Sequence, residues 1–334
     1  SRWPPASCGR WTHERCPAVP QAPSPAVRGM GGHPVNGRAL PEWRQRPERG
    51  HLGLLRFMVR LSLWGGRRLS RAVLHGATLY FLLFAPRPRA ASRDYLRRAL
   101  GRPPTWRERY RHLLSFATTV HDRVYLLNGR VELFDVEVQG AEALLRAMDS
   151  GGVLLMGAHL GSFEALRCVG RQRPGLQVSM LMYEDNARQM RAALAAINPE
   201  ARQDVVPLGR PDSMVEAAQR LEQGHLVGML VDRSLDADDR ALHDFLGDPA
   251  AFPVAPWRVA AVLRRPVFFM AGLYLGANRY RLVFEPLADF GTVGRGAARD
   301  AAIQAARAAY VERLQAACRQ APFNWFNFFD FWQR

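Results

Sequence analysis

The sequence predicts an α/β fold, a mixed and mostly parallel sheet flanked by helices over residues 131–334, preceded by a basic helical region. Three observations predict it. Apolar runs of strand length alternate with helix-patterned segments from residue 131 onward, the signature of a sheet covered on both faces. Glycines bracket the most apolar of these runs, with Gly151 and Gly152 before it and Gly157 and Gly161 at its end. The charge is also segregated. Residues 1–130 carry 24 Arg against 6 acidic residues, and residues 131–334 carry 22 against 24.

A hydrophobic content of 48% with 10% aromatics excludes a disordered polymer. No apolar run reaches the ~20 residues that a membrane-spanning helix needs. Every basic side chain is Arg, since the sequence holds no Lys. A formal net charge of +16, concentrated in the first third, calls for an acidic partner: anionic lipid, nucleic acid or an acidic carrier protein. The four cysteines (Cys8, Cys16, Cys168, Cys318) have no metal-ligand spacing and no disulfide framework, which suits a reducing compartment.

In chain order, residues 1–50 are rich in Pro, Gly and Arg and lack apolar periodicity. The first Met is Met30, so this segment is read as a disordered tail from an over-extended gene start. Residues 51–130 are expected to form a membrane-associating helical region. Leu54, Leu55, Phe57, Met58, Val59, Leu61, Leu63 and Trp64 interleave with Arg56 and Arg60, followed by Arg67 and Arg71. On one continuous helix those four Arg share a narrow stripe, as in a helix lying in the headgroup plane, with Gly65–Gly66 as a bend. The competing reading is a helix packed on the domain with a solvated Arg face. A 14-residue apolar run, Ala72–Ala85, ends at Pro86. Ser92 is a candidate cap, and Pro103-Pro104 precedes a helix starting near Thr105.

Strands are expected at Phe134–Val138, Val153–Ala158, Leu176–Met182, Val205–Leu208, Leu226–Val231, Val267–Leu275 and Arg281–Glu285. Helices are expected at Ala141–Met148, Ser162–Val169, Asn186–Ile197, Ser213–Gln223, Ala255–Leu263 and Ala297–Arg319. The Phe/Asn/Trp tail, Phe323–Trp332, reads either as an interfacial aromatic belt or as a last strand closing the core.

The chemistry centres on Gly151–Glu164. A buried strand ends at His159, Gly161 permits a tight turn, and Ser162 caps a helix that carries Glu164. Sites in open α/β sheets lie at the carboxyl ends of strands. A histidine with a carboxylate five residues later, across a turn, can form a dyad. The carboxylate fixes the tautomer, and the free ring nitrogen acts as general base. Turn amides are candidate oxyanion donors. H-x4-E alone is weak; the strand, the glycines and the helix start strengthen it.

The run Gly140–Arg167, with Gly152-Val153-Leu154-Leu155-Met156-Gly157-Ala158-His159 and Glu164, resembles the first block of bacterial lysophospholipid acyltransferase-like enzymes, in the lipid A late-acyltransferase branch. His225–Asp232 with Arg233-Ser234 is similar to that branch's strand ending in an aspartate. Phe245-Leu246-Gly247-Asp248-Pro249-Ala250-Ala251 resembles its F-F-G-x-P-A loop, and Arg265-Pro266-Val267 the next strand entry. Glu42–Gly50, Asp122–Gly129 and Phe323–Trp332 look more like the acyltransferases of aryl-polyene pigment pathways.

The resemblance implies a glycerol-phosphate acyltransferase-like fold and direct transfer of a fatty or polyene acyl group to a lipid or glycolipid hydroxyl. The donor would be an acyl carrier protein or acyl-CoA. It implies His159 and Glu164 as the catalytic pair, with Gly161, Ser162, Asp232 and Arg233 lining the substrate site. Arg56, Arg60, Arg67 and Arg71 would hold an anionic membrane surface at the cytoplasmic face of the bacterial inner membrane.

Asp232 and Arg233 have two open readings, a phosphate or pantetheine site or a structural ion pair. Asp236, Asp238, Asp239, His243 and Asp244 lack Ca²⁺-loop spacing and are read as a solvated loop, so no metal and no cofactor is expected. His112, His121, His225 and His243 are read as structural. No G-x-S-x-G elbow, Walker loop or dinucleotide fingerprint is present. The rival class is a non-enzymatic basic membrane binder; nucleic-acid binding is disfavoured.

Overall fold

The computed structural model describes residues 52–171, 175–183, 195, 197–198, 205–209, 212–233 and 239–332, with backbone only at 52–57, 168–169 and 171. The expected helix Asn186–Ile197 and the tail 1–50 lie outside the described residues, apart from isolated positions of that helix.

Three helices lead. Helix α1 (Leu52–Phe84) breaks at Gly66, whose φ of 72° and ψ of 173° are not helical. Glycine alone visits that region freely, so the bend expected at Gly65–Gly66 is made there. Helix α2 (Pro86–Leu100) starts on a proline, whose missing N–H costs nothing at that position. Ser92 therefore lies inside α2 rather than capping it. It is buried, with Oγ 2.9 Å from His112 Nδ1. Helix α3 (Trp106–Leu127) opens with a capping box between Thr105 and Glu108, where Pro103-Pro104 predicts a start.

The sheet elements follow as β1 (Asp135–Gln139), α4 (Ala141–Met148), β2 (Val153–Gly157), α5 (Phe163–Arg171), β3 (Val178–Tyr183), β4 (Val205–Leu208), α6 (Ser213–Glu222), β5 (Leu226–Leu230), β6 (Arg240–Phe245), β7 (Asp248–Pro253), α7 (Ala255–Leu263), β8 (Pro266–Gly276), β9 (Arg279–Asp289) and α8 (Ala297–Gln320). Seven strands form one sheet in the order β1-β9-β8-β2-β5-β3-β4. Among the described strands of this sheet, only β8–β9 is an antiparallel pair. The α/β, mostly parallel fold expected from the alternating pattern is the fold found.

Central β2 reads Val-Leu-Leu-Met-Gly and is buried at every position, as a strand covered on both faces must be. Leu154, Met156, Val227 and Trp257 join the core under α6, α7 and α8. Leu155, Leu144, Leu166 and Phe268 join the core under α4 and α5. The segment Phe245–Ala251, expected as a loop, is the turn and second strand of a separate antiparallel ribbon, β6–β7. Leu246 and Gly247, with φ of 55° and 92°, make its hairpin turn.

The expected Arg stripe does not survive the break at Gly66. The residues after it belong to a separate helical segment, so a single helical wheel over 56–71 misplaces them. Arg67 forms a two-pronged ion pair with the buried Asp122, at 3.0 and 2.8 Å, and Arg71 bonds the carbonyl of Ala277 and the Tyr274 hydroxyl. These two are structural ties, Arg67 to α3 and Arg71 to β8 and the turn after it. Arg60 is exposed, and the Arg56 side chain lies outside the described residues. The exposed groups of α1 are mostly apolar, including Trp64 at 87%, Tyr80, Phe81 and Phe84. No single described helix is long and apolar enough to cross a membrane. Met58–Phe84 together with α2, bent by 93°, passes that test as a pair.

Candidate active site

Strands β2 and β5 run parallel and side by side, with Gly157 paired to Leu230. Two residues beyond each end, the chain places His159 on one strand and Asp232 on the other. Nδ1 of His159 is 2.8 Å from Asp232 Oδ1, and the His159 backbone N–H donates to Oδ2 at 3.1 Å. Asp232 is 1% exposed, while about a third of the His159 side chain is open, at 32%.

Asp232 takes two further donors on Oδ2, Trp325 Nε1 at 3.1 Å and Asn327 Nδ2 at 2.9 Å. Burial alone raises a carboxyl's pKa. Here the charge and hydrogen bond of His159, with Arg233 and Asn327, outweigh burial and hold Asp232 below the usual carboxylate range. An ionised carboxylate only accepts, so Nδ1 must carry the proton. The tautomer is therefore fixed, and Nε2 keeps its lone pair with no partner among the described residues. Burial pushes the His159 pKa down, Arg233 and Arg123 push it the same way, and Asp232 opposes them. The imidazole is neutral near pH 7 and can receive a proton there.

Glu164 does not reach the imidazole. It is buried in the first turn of α5 and forms an ion pair with Arg167 at 2.9 Å, both side chains less than 5% exposed. Helix α5 turns Glu164 towards its own i+3 neighbour, and Asp232, 73 residues beyond His159, is the carboxylate bonded to the ring. Spacing in sequence selects the nearer carboxylate; strand register selects Asp232.

The other expected lining residues are also turned inward. Gly161 has φ of +70°, and a Cβ there would meet the Gly272 carbonyl oxygen at 2.0 Å, so only glycine fits. Its N–H donates to the Asn324 carbonyl, and that of Ser162 to the Gly272 carbonyl. Neither amide is free for an oxyanion. Ser162 Oγ accepts from Ala165 N at 3.2 Å and caps α5, as its position in the sequence implies. Asp232 sits behind the histidine and faces no substrate space. Arg233 is turned to the tail, its Nε donating to Asn327 Oδ1 at 2.6 Å and its Nη2 to the Phe326 carbonyl at 3.2 Å. Burial lowers its pKa to about 10 against the pull of Asp232.

Sequence reasoning missed the part played by the tail. Leu160 and Trp325 form an antiparallel bridge, and Phe326 N–H donates to the His159 carbonyl at 2.7 Å. The Asn324 side chain bonds both N–H and C=O of Tyr274. On the far side, His112 Nε2 is 2.8 Å from the Trp325 carbonyl. Trp325 and Asn327 are buried at 0% and 1%. Of the two readings of the tail, core closure is found, but through one bridge residue, Trp325, and not as a last strand, and closure also encloses Asp232. Asn and Trp side chains in an aromatic run were the available signal, because each carries a donor that must find a partner when buried.

Among the described residues, no cluster of His, Cys, Asp or Glu is arranged to hold a metal ion. Asp239 pairs with Arg258, and Arg307 donates to His243 at 2.7 Å.

A family model described as bacterial lipid A biosynthesis acyltransferase matches residues 125–334, which takes in β1–β9, His159, Asp232 and the tail. Among curated proteins, no sequence matches the chain.

Proposed function

This chain belongs to the bacterial lipid A biosynthesis acyltransferase family and is an acyltransferase, and from that premise we propose a direct transfer in which His159 is the general base and Asp232 its orienting carboxylate. The observation that carries the reading is the His159–Asp232 pair at 2.8 Å, with Nε2 left free at the carboxyl edge of the sheet.

In the proposed reaction, Nε2 takes the proton of an acceptor hydroxyl as its oxygen attacks the carbonyl carbon of an acyl thioester. The tetrahedral intermediate then collapses with cleavage of the C–S bond. The thiolate leaves, and the imidazolium returns the proton to it. Asp232 stabilises the imidazolium between these steps without taking its proton. No enzyme nucleophile is needed. Glu164 supports the site only through the start of α5, where its buried pair with Arg167 lies within the helix.

The acyl donor proposed is an acyl-carrier thioester, acyl carrier protein or acyl-CoA, bearing a fatty or polyene chain. The acceptor proposed is a hydroxyl of a membrane lipid or glycolipid, at the cytoplasmic face of the bacterial inner membrane. Trp64, Tyr80, Phe81 and Phe84, exposed on α1, favour contact with a lipid surface. The likeness of Asp122–Gly129 and Phe323–Trp332 to acyltransferases of aryl-polyene pathways favours an acceptor other than lipid A itself.

The test is transfer from acyl-carrier thioesters to membrane lipids by His159→Ala, Asp232→Asn and Glu164→Gln. The first two should lose at least about a thousandfold in kcat, and Glu164→Gln should lose mainly stability. Full activity in a folded His159→Ala protein would sink the proposal.

A further inference from the structure

Asp232 and Arg233 are adjacent in the chain and opposite in charge, the first buried and the second half-buried. Their direct pairing would be the simplest electrostatic outcome. Instead, the Asn327 amide stands between them. Its Oδ1 accepts from Arg233 Nε at 2.6 Å, and its Nδ2 donates to Asp232 Oδ2 at 2.9 Å. The orientation of the amide is not arbitrary, because the guanidinium only donates and the ionised carboxylate only accepts. The Phe326 carbonyl and the Phe329 ring, 5.2 Å from the guanidinium carbon, hold Arg233 from other sides.

The consequence falls on the other carboxylate oxygen. Oδ2 is occupied by Asn327, Trp325 and the His159 backbone, and Oδ1 is left to His159 Nδ1. Were Asn327 absent, Arg233 would be free to swing onto Asp232 and compete for it. The imidazole would then lose part of its counter-charge and the bond that fixes its tautomer. The charged groups acting on His159 are Asp232 and Arg233 from beyond β5 and Arg123 from α3, so Asp232 is the one negative group among them.

We propose that Asn327 is a positioning residue for the His159 base, an amide spacer that keeps the Arg233 guanidinium off Asp232 and so reserves Oδ1 for the imidazole. This rests on the reading of His159 as the base.

The experiment measures the His159 imidazole titration in the full chain by NMR, its resonance assigned by its loss in His159→Gln, beside pH profiles of kcat and KM. Asn327→Ala should lower the His159 midpoint by roughly one pH, about a tenfold change in the ratio of neutral to charged imidazole. It should reduce kcat with little change in KM. In an Arg233→Gln background the same substitution should move the midpoint hardly at all, because no guanidinium is left to collapse. Equal displacement by Asn327→Ala in both backgrounds, or none in either, overturns the spacer role. If the titrations behave as expected but His159→Gln still transfers acyl groups, the base reading fails and the positioning of the ring stands.

Discussion

At the scale of single residues, position in the sheet outranks distance along the chain. Glu164, five residues from His159, is spent on Arg167, while Asp232, 73 residues away, holds the imidazole. The signal was present in two neighbouring strand-like runs that end in His and Asp at the same offset, but it becomes visible only once the register pairing Gly157 with Leu230 is known. A pH dependence belongs to this scale. His112 is completely buried and neutral between Ser92 and the Trp325 carbonyl, and burial lowers its pKa to about 4 despite the bond to Trp325. The unfolded chain, with an ordinary value near 6.5, binds a proton that the native chain refuses. His112's contribution is therefore whole above pH 6.5 and is lost as the pH falls through 4, on the order of 3 kcal/mol. Urea midpoints measured from pH 7 to pH 4 should fall, and His112→Gln should flatten part of that fall.

At the scale of elements, periodicity was enough for most of the sheet. The bounds of α4, β4 and α7 are those the pattern implies, because each is a short apolar run stopped by turn residues. The ribbon β6–β7 was not legible. Its strands carry Arg240, His243, Asp244, Pro249 and Pro253, which contradict a strand pattern and are tolerated because the ribbon stands outside the main sheet. The stripe on α1 failed for another reason, since one glycine in a non-helical conformation invalidates a continuous wheel. The two kinds of Arg on α1 should therefore behave differently. Arg67→Gln strips the buried Asp122 of its counter-charge and should cost about 3 kcal/mol. Arg60→Gln, on an exposed side chain, should stay within about 0.5 kcal/mol. Equal losses in chemical denaturation would remove the distinction.

At the scale of the whole molecule, the last described residues complete what the first strand–turn–helix unit begins. Composition shows an aromatic tail; it does not show where that tail lies, because every contact that places it is long-range. Trp325 packs against Tyr95 of α2, at 5.0 Å between ring centroids, and Phe245 of β6, at 5.3 Å. It also gives Asp232 a hydrogen bond, so one side chain serves both core and site. Two variants separate these roles. Trp325→Phe keeps most of the packing and loses the Nε1 donor, which should cost only about 1 kcal/mol of stability while lowering kcat through a less firmly held Asp232. Ending the chain at Pro322 removes Trp325, Asn324 and Asn327 together and strips Asp232 of two of its four donors. A buried Trp alone is worth about 3–5 kcal/mol, a large share of the 5–15 kcal/mol of a typical domain. The shortened chain should therefore unfold at markedly lower urea and lose acyl transfer altogether. Retained transfer by that chain, assayed alongside Trp325→Phe, would show that β2, β5 and their loops organise the histidine without the tail.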